Sequence, residues 1–203
     1  MSFGRLKTRL RALINRKDLT DELAGDFVLD AISAIERVLR IGPMEILLVK
    51  SDWDGARNAV SLPPNLLETI TVFTEKGELD FADLDSFLKY EGTGKPAIYT
   101  RVADRYLVKP TPSPGTVLYV HYYGETLRPT LDDDKTVWTE AGFLATLYKA
   151  AQLAADFYQM EADVVGGYQS RYEEHAVALE QQALSEAWSA RITIPAPTNV
   201  GEY

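Results

Sequence analysis

The chain of 203 residues has no cysteine, which excludes disulfides, thiolate zinc sites and cysteine nucleophiles. Its two histidines, His121 and His175, are too few for a multi-histidine metal site within one chain. Long apolar runs are missing as well. The most apolar stretch, Ala141 to Tyr158, carries Lys149, Gln152 and Asp156 and is too short and too polar for a bilayer helix. Charges interrupt the N-terminal Arg-Leu-Lys-Thr-Arg-Leu-Arg-Ala-Leu-Ile, so no export-signal core forms there. No glycine-rich phosphate loop, Gly-x-Ser-x-Gly or His-Glu-x-x-His occurs. What remains, 46 % hydrophobic and 25 % charged, is the composition of a packed globular protein. A chain of this length buries roughly 70 % of its unfolded surface and has room for one domain or two small ones.

Charge is spread unevenly. The net value of −9 resolves into +6 on residues 1–17, from Arg5, Lys7, Arg9, Arg11, Arg16 and Lys17, and −15 on the remainder. An acidic body repels duplex DNA except through that basic head, so sequence-specific DNA reading is not expected.

The order of elements is helical, strand-rich, then helical. Leu6, Leu10, Leu13 and Ile14 line one face of a helix over residues 4–16, with bases on the other face. A second helix starts after Thr20, a capping hydroxyl followed by Asp21 and Glu22. Its core stripe runs from Leu23 through Val38 and Leu39; Arg37 and Arg40 fall in the last turn, and Gly42-Pro43 stops it. Residues 44–129 alternate β-branched and aromatic runs with turns. Strands are expected at 45–50 and 59–62, paired as a hairpin around Asp52-Trp53-Asp54-Gly55, and at 67–73. Residues 98–102 and 106–109 form a second hairpin. Residues 117–123, apolar on both faces, form a central strand. A short helical piece covers 82–89. Helix returns near Thr136, behind the acids Asp132-Asp133-Asp134, and a last helix runs from about 163 to 190, broken or delayed by Gly166-Gly167. The expected fold is α+β: a bundle of residues 1–43 plus 130–190, an inserted, mostly antiparallel β-domain at 44–129, and an extended tail at 191–203.

Candidate chemistry is sparse. His121 reads as a half-buried strand residue and His175 as a surface one. Asp52 to Gly55 opens like a calcium loop but lacks the later ligands, so a turn with Asx hydrogen bonds explains it better. The acids at 132–134 are accounted for by helix capping, without a magnesium ion. No catalytic, cofactor or metal residues are expected. The remaining features are the basic amphipathic helix and the tail, each suited to a partner.

The motifs in their order resemble the bacteriophage head-to-tail adaptor proteins, the connector, collar or tail tubular A-type proteins of short-tailed phages. They run from Asn15-Arg16-Lys17-Asp18-Leu19 through Val60-Ser61-Leu62-Pro63-Pro64-Asn65. Lys95-Pro96-Ala97-Ile98-Tyr99, Tyr106-Leu107-Val108-Lys109-Pro110-Thr111-Pro112 and the 117–123 strand follow. The last stretch is Leu127-Arg128-Pro129-Thr130-Leu131-Asp132-Asp133-Asp134-Lys135-Thr136-Val137-Trp138. Ala103-Asp104 stands where such proteins usually carry a glycine. The resemblance implies a structural virion protein at the head–tail junction, assembled in the host cytoplasm. It implies a ring, typically twelvefold, between the portal and a tail or nozzle protein, with DNA passing through unread and no membrane. Arg5, Lys7, Arg9, Arg11, Arg16 and Lys17 of the first helix, with Ile192 and Ile194 of the tail, are the interface candidates. Two readings from other classes stand beside it. One is a phage-tail glycan or peptidoglycan hydrolase. The other is a carbohydrate-binding module with Trp53, Tyr99 and Tyr106 as a stacking platform.

Overall fold

A computed structural model describes residues 1–50, 59–113 and 116–191. The chain divides into two compact units, Met1–Pro43 with Leu127–Tyr203, and Met44–Thr126. The first contains helices α1 (Phe3–Ile14), α2 (Asp21–Val38), α4 (Phe143–Phe157) and α5 (Ala162–Arg191); the second contains seven strands and the short α3 (Leu84–Lys89).

In the helical unit, α1 buries Phe3, Leu6, Leu10 and Ile14, and it ends at Asn15 in the left-handed region. The Thr20 hydroxyl accepts the Leu23 N–H at 3.1 Å, so the expected cap of α2 is present. This helix stops at Val38, short of Gly42-Pro43, because the Arg40 guanidinium folds back to donate to the carbonyls of Glu36 and Leu39 at 2.7 and 2.8 Å. Val38, expected in the core, is therefore exposed, while Leu39 is buried. Helix α4 packs against α1, α2 and α5. Alanines 145, 150, 151, 154 and 155 are buried along it, and their small side chains let neighbouring backbones come close.

Two further helical expectations change. Helix α4 begins at Phe143, not near Thr136. Thr136 and Thr139 hydrogen-bond each other's backbone and side chain, and Gly142 N–H closes on the Val137 carbonyl at 2.8 Å. Such local hydroxyl bonds compete with helix. Helix α5 runs unbroken through Gly166-Gly167 and starts one residue earlier than expected. Most of it is exposed; Ala176 is its one buried residue up to Ser185.

The strand unit comprises β1 (Glu45–Lys50), β2 (Ala59–Ser61), β3 (Leu66–Thr74), β4 (Gly77–Phe81), β5 (Ile98–Val102), β6 (Arg105–Lys109) and β7 (Leu118–Gly124). They form one sheet in the order β1-β7-β3-β4-β5-β6-β2, antiparallel except for the β4–β5 pair. The expected hairpin of 45–50 with 59–62 does not form. β1 pairs with β7 and β2 with β6, at opposite ends of the strand order, so β7 has a hydrogen-bonded neighbour on each side, β1 and β3. The proposed Asx turn at Asp52 to Gly55 lies outside the described residues. β4, unforeseen, follows a tight turn with Gly77 at φ 136°. Val60 of β2 shares one buried cluster with Val72, Tyr106, Val120 and Tyr122. The two ends of the strand order thus meet in one core, and the sheet is curled. Thr69 of β3 and Tyr106 of β6 share a hydrogen bond across it.

The β5–β6 turn puts Ala103 at φ 52°, where a side chain is disfavoured. Ala103→Gly is expected to raise the urea midpoint, by a stability gain of about 0.5–1 kcal/mol. Equal or lower stability in the variant counts against strain at this turn.

Candidate assembly surfaces

The helical unit is organised by a buried carboxylate. Glu36, 1 % exposed on the inward face of α2, accepts from the Arg128 guanidinium at 2.7 Å and from the Trp138 indole N–H at 2.7 Å. Trp138 is itself fully buried. An unpaired charge there would cost several kcal/mol, so the carboxylate holds the segment after the strand unit against α2. Gly142 leaves space for the indole: an added Cβ would come within 2.6 Å of Trp138 Cε3. Sequence reading placed Arg128 and Trp138 in an adaptor-like motif, yet gave no sign that Glu36, ninety-two residues before Arg128, was their partner.

A second anchor is Lys7. Expected on the solvent face of α1, it is only 8 % exposed, and its ammonium pairs with Asp21 and, at 2.6 Å, with Asp132. These hydrogen bonds, first to Asp132 and then to Asp21, hold its pKa above the ordinary lysine value. The acidic turn does not cap a helix at 136. Its carbonyls at Asp132 and Asp134 instead accept the first-turn N–H groups of α1, from Gly4 at 2.9 Å and Phe3 at 3.0 Å. The Asp134 carboxylate accepts the N–H groups of Leu131 and Thr130, which holds its pKa below the usual carboxylate range. Gly4 is needed for this close approach, since a Cβ would lie 2.9 Å from that of Asp132.

The six bases of the head therefore separate into two groups. Lys7 is spent internally, Arg11 lies 3.7 Å from Asp21, and Arg16 pairs with Asp18 at 3.0 Å while covering the Tyr158 ring at 4.4 Å. Arg5, Arg9 and Lys17 are exposed and, among the described residues, pair with no carboxylate. Ile192 and Ile194 lie outside the described residues. Arg9 borders an apolar trough of about 390 Å³ at the start of α4, with Phe143, Leu144, Ala178 and Leu179 among its walls.

Other candidates have plain structural roles. Tyr99 and Tyr106, 7 % and 1 % exposed, sit in the core of the curled sheet, which removes them from any sugar-stacking platform; Trp53 lies outside the described residues. Burial raises the pKa of both phenols. His121 is half-buried on β7 with Nε2 3.2 Å from a Glu45 carboxylate oxygen, and His175 stacks on Tyr148 at 5.5 Å. Among the described residues no group of three His, Asp or Glu side chains is arranged to hold a metal, and no helix is long and apolar enough to cross a membrane.

The family model described as SU10 adaptor protein matches residues 1–196. The chain belongs to the SU10 adaptor protein family. No curated protein matches it significantly. The SU10 adaptors are a phage head–tail adaptor family, so this protein is a structural component of the virion whose partners are portal and tail proteins.

Two measurements test the anchors. Glu36→Gln, which removes the buried charge that the Arg128 guanidinium and the Trp138 indole N–H are aimed at, should lower the unfolding free energy by about 3 kcal/mol, read from urea melts. A loss under ~1 kcal/mol would demote the carboxylate from organiser to bystander. For Lys7, a raised folded-state pKa means its contribution is complete below the ordinary lysine value and is lost as pH rises through the higher folded value. The gap in melting temperature between the wild type and Lys7→Met should hold steady from pH 8 to about 10 and close above ~10.5. A gap unchanged at high pH refutes the ion-pair role.

Proposed function

We propose that this adaptor forms a ring, twelvefold in the usual arrangement of such proteins, between the portal and a tail or nozzle protein, in the manner of tail tubular A-type connectors. The match to an adaptor family over residues 1–196 carries this reading. We read the helical unit as a bundle closed by both ends of the chain, with the boundaries at residues 43 and 130 and the strand unit as its insertion. The ring continues the DNA channel. An acidic body suits that task, because a wall that repels phosphates lets the duplex slide instead of holding it. The open bases Arg5, Arg9 and Lys17 are the part of the basic head left for protein partners; Lys7, Arg11 and Arg16 serve the fold.

Electron microscopy of portal particles from the same phage, incubated with this protein, tests the ring directly. An added layer of twelve subunits is the expected result. Portals that gain no layer at saturating protein overturn it.

A further inference from the structure

The trough at the start of α4 continues along α5. A second hollow, walled by Ile41, Pro43, Val137 and Ala183, shares Ala141 and Leu179 with it, so the two form one groove. Its α5 wall runs from His175 through Leu179 to Ala183, in the direction of the helix end at Arg191. Leu144 on its lip is 45 % exposed. An apolar groove left open to water marks an interaction site.

The chain carries a segment suited to it. Residues 192–203 follow α5 and read Ile-Thr-Ile-Pro-Ala-Pro-Thr-Asn-Val-Gly-Glu-Tyr. Ile192, Ile194, Val200 and Tyr203 supply apolar surface. Pro195 and Pro197 bring no N–H that an apolar wall would leave unpaired, and they disfavour helix. Glu202 is the one charged side chain in the segment. Arg9, exposed at the lip of the groove, pairs with no carboxylate among the described residues. Glu140, the acid lining the groove, is engaged by the N-terminal ammonium at 3.6 Å.

Reach sets the register. Ala178, which lines the trough with Leu144, lies about 20 Å back from Arg191 along the helix. Val200 follows Arg191 by nine residues. With about two of them spent on a reversal, roughly seven extended residues span about 23 Å. A tail that doubles back along α5 thus brings Val200 level with Leu144, and Glu202 to the region of Arg9.

We infer that residues 192–203 of the free protein fold back into this groove of their own copy, with Val200 and Tyr203 on its apolar walls and Glu202 beside Arg9. Attachment to α5 favours the chain's own tail over a neighbour's, because it holds the segment at a high effective concentration. A partner that engages Arg9 then has to displace the tail. The contact does not depend on the ring, since a single copy makes it.

The cysteine-free chain makes disulfide trapping specific. Full-length protein with Leu144→Cys and Val200→Cys, oxidised at low concentration, should close an intramolecular disulfide about tenfold faster or more than protein with Phe157→Cys and Val200→Cys. Phe157 is 60 % exposed at the far end of α4, roughly 20 Å from Leu144. Non-reducing gels give the two rates, and unchanged melting temperatures show that both variants fold. Arg9→Glu in the first pair should slow closure by about two- to fivefold, the worth of an exposed ion pair, and adding Glu202→Arg should restore it. Equal rates in the two cysteine pairs, or no response to the charge changes, overturn the contact. Disulfides that join only different chains assign the groove to a second copy and overturn it as well.

Discussion

The helical unit depends on the need to neutralise one buried carboxylate. Glu36 has almost no access to water, and a charge in that position is tolerable only with its donors in place. Arg128 and Trp138 supply them from a stretch that returns after the whole strand unit has been traversed. The pairing is directional, whereas apolar packing alone leaves register free to slip. It therefore fixes where the returning chain lies on α2. Lys7 does the same between α1, the start of α2 and the acidic turn.

These anchors explain how a chain with an interrupted domain presents constant surfaces. With the inward charges committed, α4 lies among α1, α2 and α5, and Leu144 near its start and Phe157 at its end are left exposed. The arrangement suits an assembly component better than a catalyst. Its burial and hydrogen bonds serve rigidity, its outward residues are bases, acids and scattered aliphatic and aromatic side chains, and its buried tyrosines fill a core. Membership of a phage adaptor family accords with that division of labour.

Much was legible in the linear pattern because it depends on neighbours in sequence. The Thr20 cap, the Leu6-Leu10-Ile14 stripe, the central strand expected at 117–123 and found at 118–124, and the tight turn at Ala103-Asp104 all rest on contacts within a few residues or on strand period. Strand partners are less legible there. Adjacent strands usually pair, yet β1 and β2 take opposite edges, since the curl of the sheet lets strands distant in order share one core. The start of α4 was also misplaced, as the Thr136–Thr139 hydroxyl exchange holds a turn where apolar periodicity pointed to helix.

The sequence by itself determined the class of protein: no thiol chemistry, too few histidines for a multi-histidine metal site, a basic head on an acidic body, and an order of motifs that resembles phage adaptors. Tertiary structure alone decided which of those charges face outward. Lys7 and Arg5 are equivalent in composition and lie on one short helix. Yet Lys7 meets two carboxylates brought from residues 21 and 132, and among the described residues Arg5 meets none. Charge on a list is a count; which charge remains available depends on what the fold places within a few ångströms of it, and that follows from long-range packing rather than local order.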